Sequence, residues 1–267
     1  MEHVLLLNAK AVRDLVLASL LTLVSLSAAA QQVNLTSGEW PPYTSESIYQ
    51  NGFAAEVVRQ AYQAVGIKVH IGHFPWKRSY HYAETGTGLG GDVWHGSIAW
   101  VKTPERETLF HYSTPLLSDN MVLYSLKKAP IEWTTLTDLA GLTIGATEHT
   151  NYEILESAQN KGLIKLQRAG NYDILFQRLL AERIDAVPQL KSVGEFYLSN
   201  NVKGADKDKI TRSDSILSTR EFHLILNKAN PNNKQFAADF DRGLAIIKQN
   251  GVYQDLINKL NRGRYNN

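Results

Sequence analysis

The chain has 267 residues, with 28 Lys and Arg against 26 Asp and Glu, a net charge of +2, and no cysteine. So small and dispersed a charge excludes the basic surface that nucleic-acid binding needs. The missing cysteine excludes disulfide stapling and lipoprotein attachment, so an exported form has to be held by its core alone.

The amino end reads as an export signal. Lys10 and Arg13 precede the apolar run LVLASLLTLVSLSAAA, which ends in small residues at Ala28 and Ala30. The run is shorter than the ~20 residues a bilayer span needs, and its small-residue exit fits cleavage after Ala30. The expected mature chain is 31–267, free in the periplasm and not lipidated.

QVNLTSG alternates as a strand and runs into EWPPY, where two prolines force a loop. GFAAEVVRQAYQAVG has helical spacing and a glycine stop at Gly66, and IKVHIGHF alternates again. Strand, helix, strand in this short span predicts a βαβ unit with a parallel sheet. The order repeats: a strand in MVLYSLKK, a short helix and strand in TTLTDLAGLTIGAT, and helices in NYEILESAQNKG and YDILFQRLLAERIDA. Strands follow in IDAVPQ and REFHLILNK, then two amphipathic helices broken at Gly251.

Ligands of parallel α/β sheets bind beyond the carboxyl ends of strands. Trp40 and Tyr43 follow the first strand, and Trp76 and Arg78 follow the second. These residues line an aromatic cleft or simply pack on the core and solvent. Arg106, in TPERETLFHYSTPL, is a loop charge or the one cation of a pocket. GATEHTNYEIL places a helix start near Thr150 and Asn151, where free N–H groups make either an anion seat or an ordinary cap. His70 and His73 lie three apart on a strand and so face opposite sides, which argues against a metal site. GTGLGGD lacks the lysine of a phosphate loop, and no Gly-x-Ser-x-Gly elbow occurs.

The export signal, the aromatic-Pro-Pro-aromatic turn, TPERETLFHYSTP, the L-x-D-L-x-G-L-x-I-G run and LLAERIDAV together resemble the family 3 periplasmic solute-binding proteins. The likeness spans 33–262. It implies a type II periplasmic binding protein-like fold of two α/β lobes joined by two hinge strands near Leu117–Tyr124 and Leu217–Leu224. Lobe one would be 31–117 plus 222–267, and lobe two 118–221. It implies a cleft that closes on a small carboxylate-bearing ligand, an amino acid or related acid. Arg106 would clamp the carboxylate with a guanidinium fork, helped by Thr150 and Asn151. Trp40 and Trp76 would pack on the ligand, with Trp100 beside the clamp.

The likeness also implies a monomer without cofactor or enzymatic activity that serves an inner-membrane ABC transporter permease. A sensing module partnering a membrane kinase is the second reading. A cyclic-carboxylate dehydratase using Glu148 is the third. Two positions depart from the family pattern. Val101 stands where a Ser or Thr takes the ligand ammonium, and Leu190 where an acid does. A ligand without an α-amine, or one held through Ser97, Glu39 or Glu148, is the resulting expectation.

Overall fold

A computed structural model describes residues 31–148 and 150–266; the expected export signal lies outside the described residues. Strand β1 (Gln32–Ser37), helix α1 (Phe53–Gln63) and strand β2 (Lys68–His73) form the βαβ unit, with β1 and β2 parallel and Val33 opposite Val69. The apolar spacing of α1 buries Ala54, Val57, Val58, Ala61 and Tyr62 on the sheet. Gly66, at φ +77°, takes the left-handed turn that returns the chain to β2.

Three elements then appear that the sequence pattern did not announce. Helix α2 (Trp76–Thr85) begins directly after Pro75. Strand β3 (Gly96–Trp100) pairs parallel with β1. Helix α3 (Pro104–Leu109) is short, with Pro104 in its first turn, and the Thr103 side chain accepts from the Arg106 N–H at 3.3 Å. Strand β4 (Phe110–Tyr112) leads into the long strand β5 (Leu117–Leu126).

The second half carries β6 (Thr143–Thr147), α4 (Glu153–Asn160), β7 (Lys165–Ala169), α5 (Tyr172–Leu180), β8 (Val187–Leu190) and α6 (Lys191–Asn200). β6 and β7 pair parallel, and Ile144 bridges to Ala186 at the start of β8. Strand β9 (Ile210–Asn227) follows, then α7 (Asn233–Gln249) and α8 (Val252–Asn261). β9 starts ten residues before the expected REFHLILNK strand, because ITRSDSILST is drawn into a ladder by β5.

The main sheet runs β2-β1-β3-β9-β5-β8, with β4 flanking β9. β5 and β9 are antiparallel from Leu117 opposite Phe222 to Leu126 opposite Ile210. They are the two strands that pass between the halves, which makes the fold two-lobed. The terminal helices return to the first half. α7 crosses α1 so closely at Gly243 that a Cβ there would sit 1.9 Å from the Ala61 carbonyl oxygen. Beside α8, Lys259 Nζ and Tyr265 Oη both reach the buried Glu56 carboxylate, at 2.8 and 2.7 Å. Among the described residues no helix is long and apolar enough to cross a membrane.

Candidate functional site

A cleft of about 1060 Å³ lies between the halves. Val101–Thr103 and Thr114 form one wall, Asn151–Leu155 the other, and Met121 with Leu217–Glu221 of the crossing strands the floor.

The first wall is built from the end of β3. Ala99 takes φ +66°, and the chain then turns out through Trp100 and Val101. The Trp100 indole N–H donates to Ser97 Oγ at 2.8 Å. Ser97 Oγ in turn donates to the Thr36 carbonyl at 3.0 Å and meets Ser79 Oγ at 3.1 Å. Thr36, Ser79 and Ser97 are all 0% exposed. Ser97 is therefore committed to the core. Trp76 stands edge-on to Trp100, with ring centroids 5.3 Å apart, and its indole donates to the Glu39 carbonyl at 3.1 Å. Only glycine fits beneath it, since a Cβ on Gly38 would lie 2.4 Å from the ring. The Arg106 guanidinium lies over Trp100 at 4.8 Å and Tyr80 at 5.8 Å, and donates to the Val101 carbonyl at 3.2 Å.

Trp76, Trp100 and Arg106 thus form one cation–aromatic cluster, joined to Trp40 through the neighbouring Glu39. Arg106 rests on its aromatic neighbours, and the cleft lining passes through Val101–Thr103 instead. Trp40 packs edge-on against Tyr43 and Phe222, at 4.7 and 4.8 Å. Tyr43 corrects the expectation of an open aromatic wall. It is 1% exposed, and its hydroxyl donates to Asp119 Oδ2. The Trp-Pro-Pro-Tyr turn sends one ring toward the surface and the other into the core, against Phe53 and Phe222. Burial, then the adjacent Asp119 charge, pushes the Tyr43 phenol well above its ordinary range. Arg78 is exposed on α2.

The second wall is a loop whose carbonyls face arginines. Arg168 on β7 donates from Nη1 to the carbonyls of Thr147 (2.7 Å) and Thr150 (3.2 Å), with a longer contact to Glu148. Its Nη2 holds Glu156. Thr150 Oγ1 accepts from Thr147 Oγ1 at 2.7 Å, and α4 begins at Glu153 rather than at Thr150–Asn151. Tyr152 occupies the cap position without a side-chain cap bond. Its hydroxyl meets Thr147 Oγ1 at 2.9 Å and the Tyr172 hydroxyl at 3.2 Å. Asn151 lines the cleft, and its carbonyl accepts from Arg220 Nη2 at 2.5 Å.

Sequence reasoning missed Asp119, Arg168 and Arg220. Asp119 is 8% exposed on β5, and burial raises its carboxyl above the ordinary value. Besides Tyr43, it accepts from the Ser192 N–H at 3.0 Å and the Asn120 N–H at 2.8 Å. One carboxylate on a crossing strand therefore ties the first half to the start of α6. A charged residue in a strand that joins two halves is the signal that would have found both Asp119 and Arg220. Leu190 is 4% exposed and pairs with Met121, which makes this corner of the cleft apolar.

Two α/β lobes on a pair of crossing strands, with a cleft above them, define a type II periplasmic binding protein fold. The chain belongs to the bacterial extracellular solute-binding proteins, family 3, whose sequence model matches residues 33–262. It is 26% identical over 258 residues to the ABC transporter arginine-binding protein 1 of Escherichia coli K12, covering 91% of this chain and 97% of that one. Substrate-binding domain 2 of Lactococcus lactis GlnP, in an open conformation, shares the fold at TM-score 0.66 and 16% identity, over 88% of this chain and 97% of that domain. The GluR0 ligand-binding core of Nostoc punctiforme, in complex with L-glutamate, superposes at TM-score 0.59 and 20% identity, over 85% of this chain and 98% of that core.

Proposed function

We propose that this protein captures a small carboxylate-bearing ligand, an amino acid or related acid, in the interlobe cleft. It then presents the ligand to an inner-membrane ABC transporter permease. In this reading the chain is exported, cleaved after Ala30 and works in the periplasm as a monomer. Lobe one comprises 31–117 and 222–267, and lobe two 118–221.

The observation that carries the reading is the cleft itself, set over the two crossing strands with Arg220 on its floor. The relative from Escherichia coli, an arginine-binding protein of an ABC transporter, supports the ligand class. So does the glutamate-bound core that shares the fold. Binding rather than catalysis is proposed: Glu148, the candidate acid–base residue, is solvent-exposed and lacks the apolar enclosure that tunes a catalytic carboxyl. Val101 and Leu190 put apolar groups where an α-ammonium would need partners, since an unpaired buried ammonium is strongly disfavoured. Acids with an aromatic or apolar body that stacks near Trp40 and Trp76 should therefore bind better than polar amino acids.

A thermal-shift screen of the purified protein against amino acids, dicarboxylates, aromatic acids and short peptides tests this. A ligand at 100 times its dissociation constant adds about 2.7 kcal/mol to stability. A screen in which no carboxylate raises the melting temperature would overturn the proposal. Tight binding of arginine with no binding of aromatic acids would overturn the apolar-acid preference alone.

A further inference from the structure

The ladder of β5 and β9 is regular from Leu117 opposite Phe222 to Met121 opposite Ser218, then shifts register before Val122 and again before Tyr124. Core packing changes at the same place. Phe222 stands on Trp40 and Tyr43 of lobe one. Val122, Tyr124 and Leu126 pack instead with Leu175 and Phe176 of lobe two. A ribbon bends and twists where its register is irregular. The connection between the lobes therefore flexes at Met121–Tyr124.

Asp119 lies just on the lobe-one side of that bend. Its Oδ2 accepts from the Tyr43 hydroxyl and from the Ser192 N–H at 3.0 Å, and its Oδ1 from the Asn120 N–H at 2.8 Å. Tyr43 is fixed in lobe one against Phe53 and Phe222. Ser192 is fixed in lobe two. It follows β8, which pairs with β5 from Met121 to Tyr124, and the Tyr124 hydroxyl donates to the neighbouring Lys191 carbonyl at 2.9 Å. The bond from Ser192 to Asp119 thus spans the bend. Asp119 is 8% exposed, so water competes little for its oxygens.

Two spaces flank this bond. The cleft, at about 1060 Å³, exceeds the roughly 300–1,000 Å³ of pockets that enclose drug-sized ligands. Its walls must approach each other to enclose a small solute. A separate crevice of about 460 Å³, sharing no residue with the cleft, parts Ser192, Glu195 and Phe196 of α6 from Pro42 and from Leu260 and Arg262 at the end of α8. It leaves α6 room to move against lobe one.

We propose that the Tyr43–Asp119–Ser192 bridge is a latch that holds the lobes in this wide-cleft arrangement and gives up its Ser192 bond when the cleft closes. A latch of this kind lowers the fraction of protein competent to close, and the apparent dissociation constant rises in proportion. Breaking it costs stability and tightens binding, whereas loss of a purely structural bond costs stability alone. The effect on affinity rests on the proposed capture of a ligand; the effect on lobe spacing does not.

The chain has no cysteine, so spin labels on Glu105→Cys in α3 and Lys161→Cys just after α4, both exposed, report the lobe spacing by pulsed electron resonance. Without ligand, the wild-type bridge should give one long distance. Asp119→Ala should add a shorter one, with the open-to-closed ratio lowered about tenfold, the worth of a hydrogen bond to a charged group. Calorimetry with L-arginine, L-glutamate and phenylacetate should show binding up to about tenfold tighter in the variant. An unchanged distance distribution overturns the latch. So does a shifted distribution with unchanged or weaker affinity for a probe that binds wild type. If no probe binds wild type, the capture reading fails and the distances alone decide the latch. If Asp119→Ala does not fold, Ser192→Pro carries the test, because it removes only the N–H, in a first helical turn where proline is tolerated. The same shortening supports the latch there, and an unchanged distribution overturns it.

Discussion

Trp100 and Tyr152 stand on opposite walls of the cleft, and each has its polar tip held by a neighbour. The Trp100 indole is held by Ser97, inside a trio of hydroxyls with no exposed surface that is closed by the sheet itself. The Tyr152 hydroxyl is held by Thr147, in a loop whose own carbonyls depend on Arg168. That arginine side chain is 35% exposed. The first wall is fixed by buried side chains of several strands and α2, and the second by two partly exposed cations, Arg168 reaching back from β7 and Arg220 from β9. A cleft with one wall closed by core packing and the other held by side-chain bonds to loop carbonyls has one rigid side and one that can adjust.

The contrast extends into the packing of each lobe, where it has its largest expected effect. In lobe one, Gly243→Ala forces a Cβ to within 1.9 Å of a backbone oxygen, and neither helix can yield without moving the other. Alanine would gain roughly 1 kcal/mol of helix propensity, but the clash should outweigh it, for a net loss of about 3 kcal/mol. In lobe two, a Cβ on Gly194 would meet the Tyr124 ring at 2.3 Å. A ring can tilt where a backbone cannot, so Gly194→Ala should cost about half as much. Urea denaturation of the two variants compares them directly. Equal losses would show that the lobes are packed with equal rigidity.

Arg168→Met cuts the larger of the two arginine tethers of the second wall. Two carbonyl bonds and the Glu156 pair go together, and hydrogen bonds to charged groups are each worth about 1.5–3 kcal/mol before solvent replaces them. Partial exposure lets water take over much of this, so the expected loss of stability is about 2 kcal/mol. Amide exchange should quicken in 147–152 and remain slow in β3. Uniform quickening across both walls would erase the distinction between them.

How much of this could be read from the chain alone follows the same line between local and nonlocal causes. The β1–α1–β2 unit was legible because its apolar periods and the Gly66 stop are local. The first ten residues of β9 were not. ITRSDSILST is polar, and only pairing with β5, about ninety residues upstream, makes it a strand. Trp76 and Arg106 were singled out, one for following the second strand and the other for its motif, but their stacking on Trp100 was not foreseen, because it depends on how α2 and the end of β3 meet. Tyr43 was misjudged because the turn that carries it does not specify which ring turns inward; Phe53 and Phe222 decide that. Asp119 and Arg220 could have been noted as charges in crossing strands, but their pairing could not, since it is a matter of register.

Ser97→Ala should do less than Arg168→Met. It removes one buried hydroxyl and leaves Thr36 and Ser79 bonded to each other at 2.9 Å. About 1 kcal/mol is the expected loss. Its signature is optical: the freed Trp100 indole should shift its fluorescence without any change in the exchange of 147–152. A larger loss than that of Arg168→Met would reverse the ranking of the two walls.

The smallest effect is set by pH and also separates the lobes. His73, His95 and His111 all have pKa values lowered by burial, and all three lie in the first half of the chain. His95 shows the geometry most clearly. The Asn34 N–H donates to its Nδ1 at 3.0 Å, which requires an unprotonated Nδ1, and Phe236 stands edge-on to the ring at 5.2 Å. A histidine whose folded pKa lies below its ordinary value of 6.5 takes up its proton first in the unfolded chain. Its contribution is therefore complete above 6.5 and is lost as pH falls from there toward the folded value. Acid should loosen lobe one, where Asn34 loses its acceptor, by about 1 kcal/mol for the broken bond. His95→Gln should flatten the decline of stability between pH 6.5 and 5 relative to wild type. Asp119, whose burial-raised pKa acts with the opposite sign, is common to both proteins and cancels in the difference. Denaturation midpoints at half-unit pH steps measure it. A decline of equal slope in the variant would mean that the Asn34 contact survives protonation, and that the lobe-one wall owes nothing to a neutral imidazole.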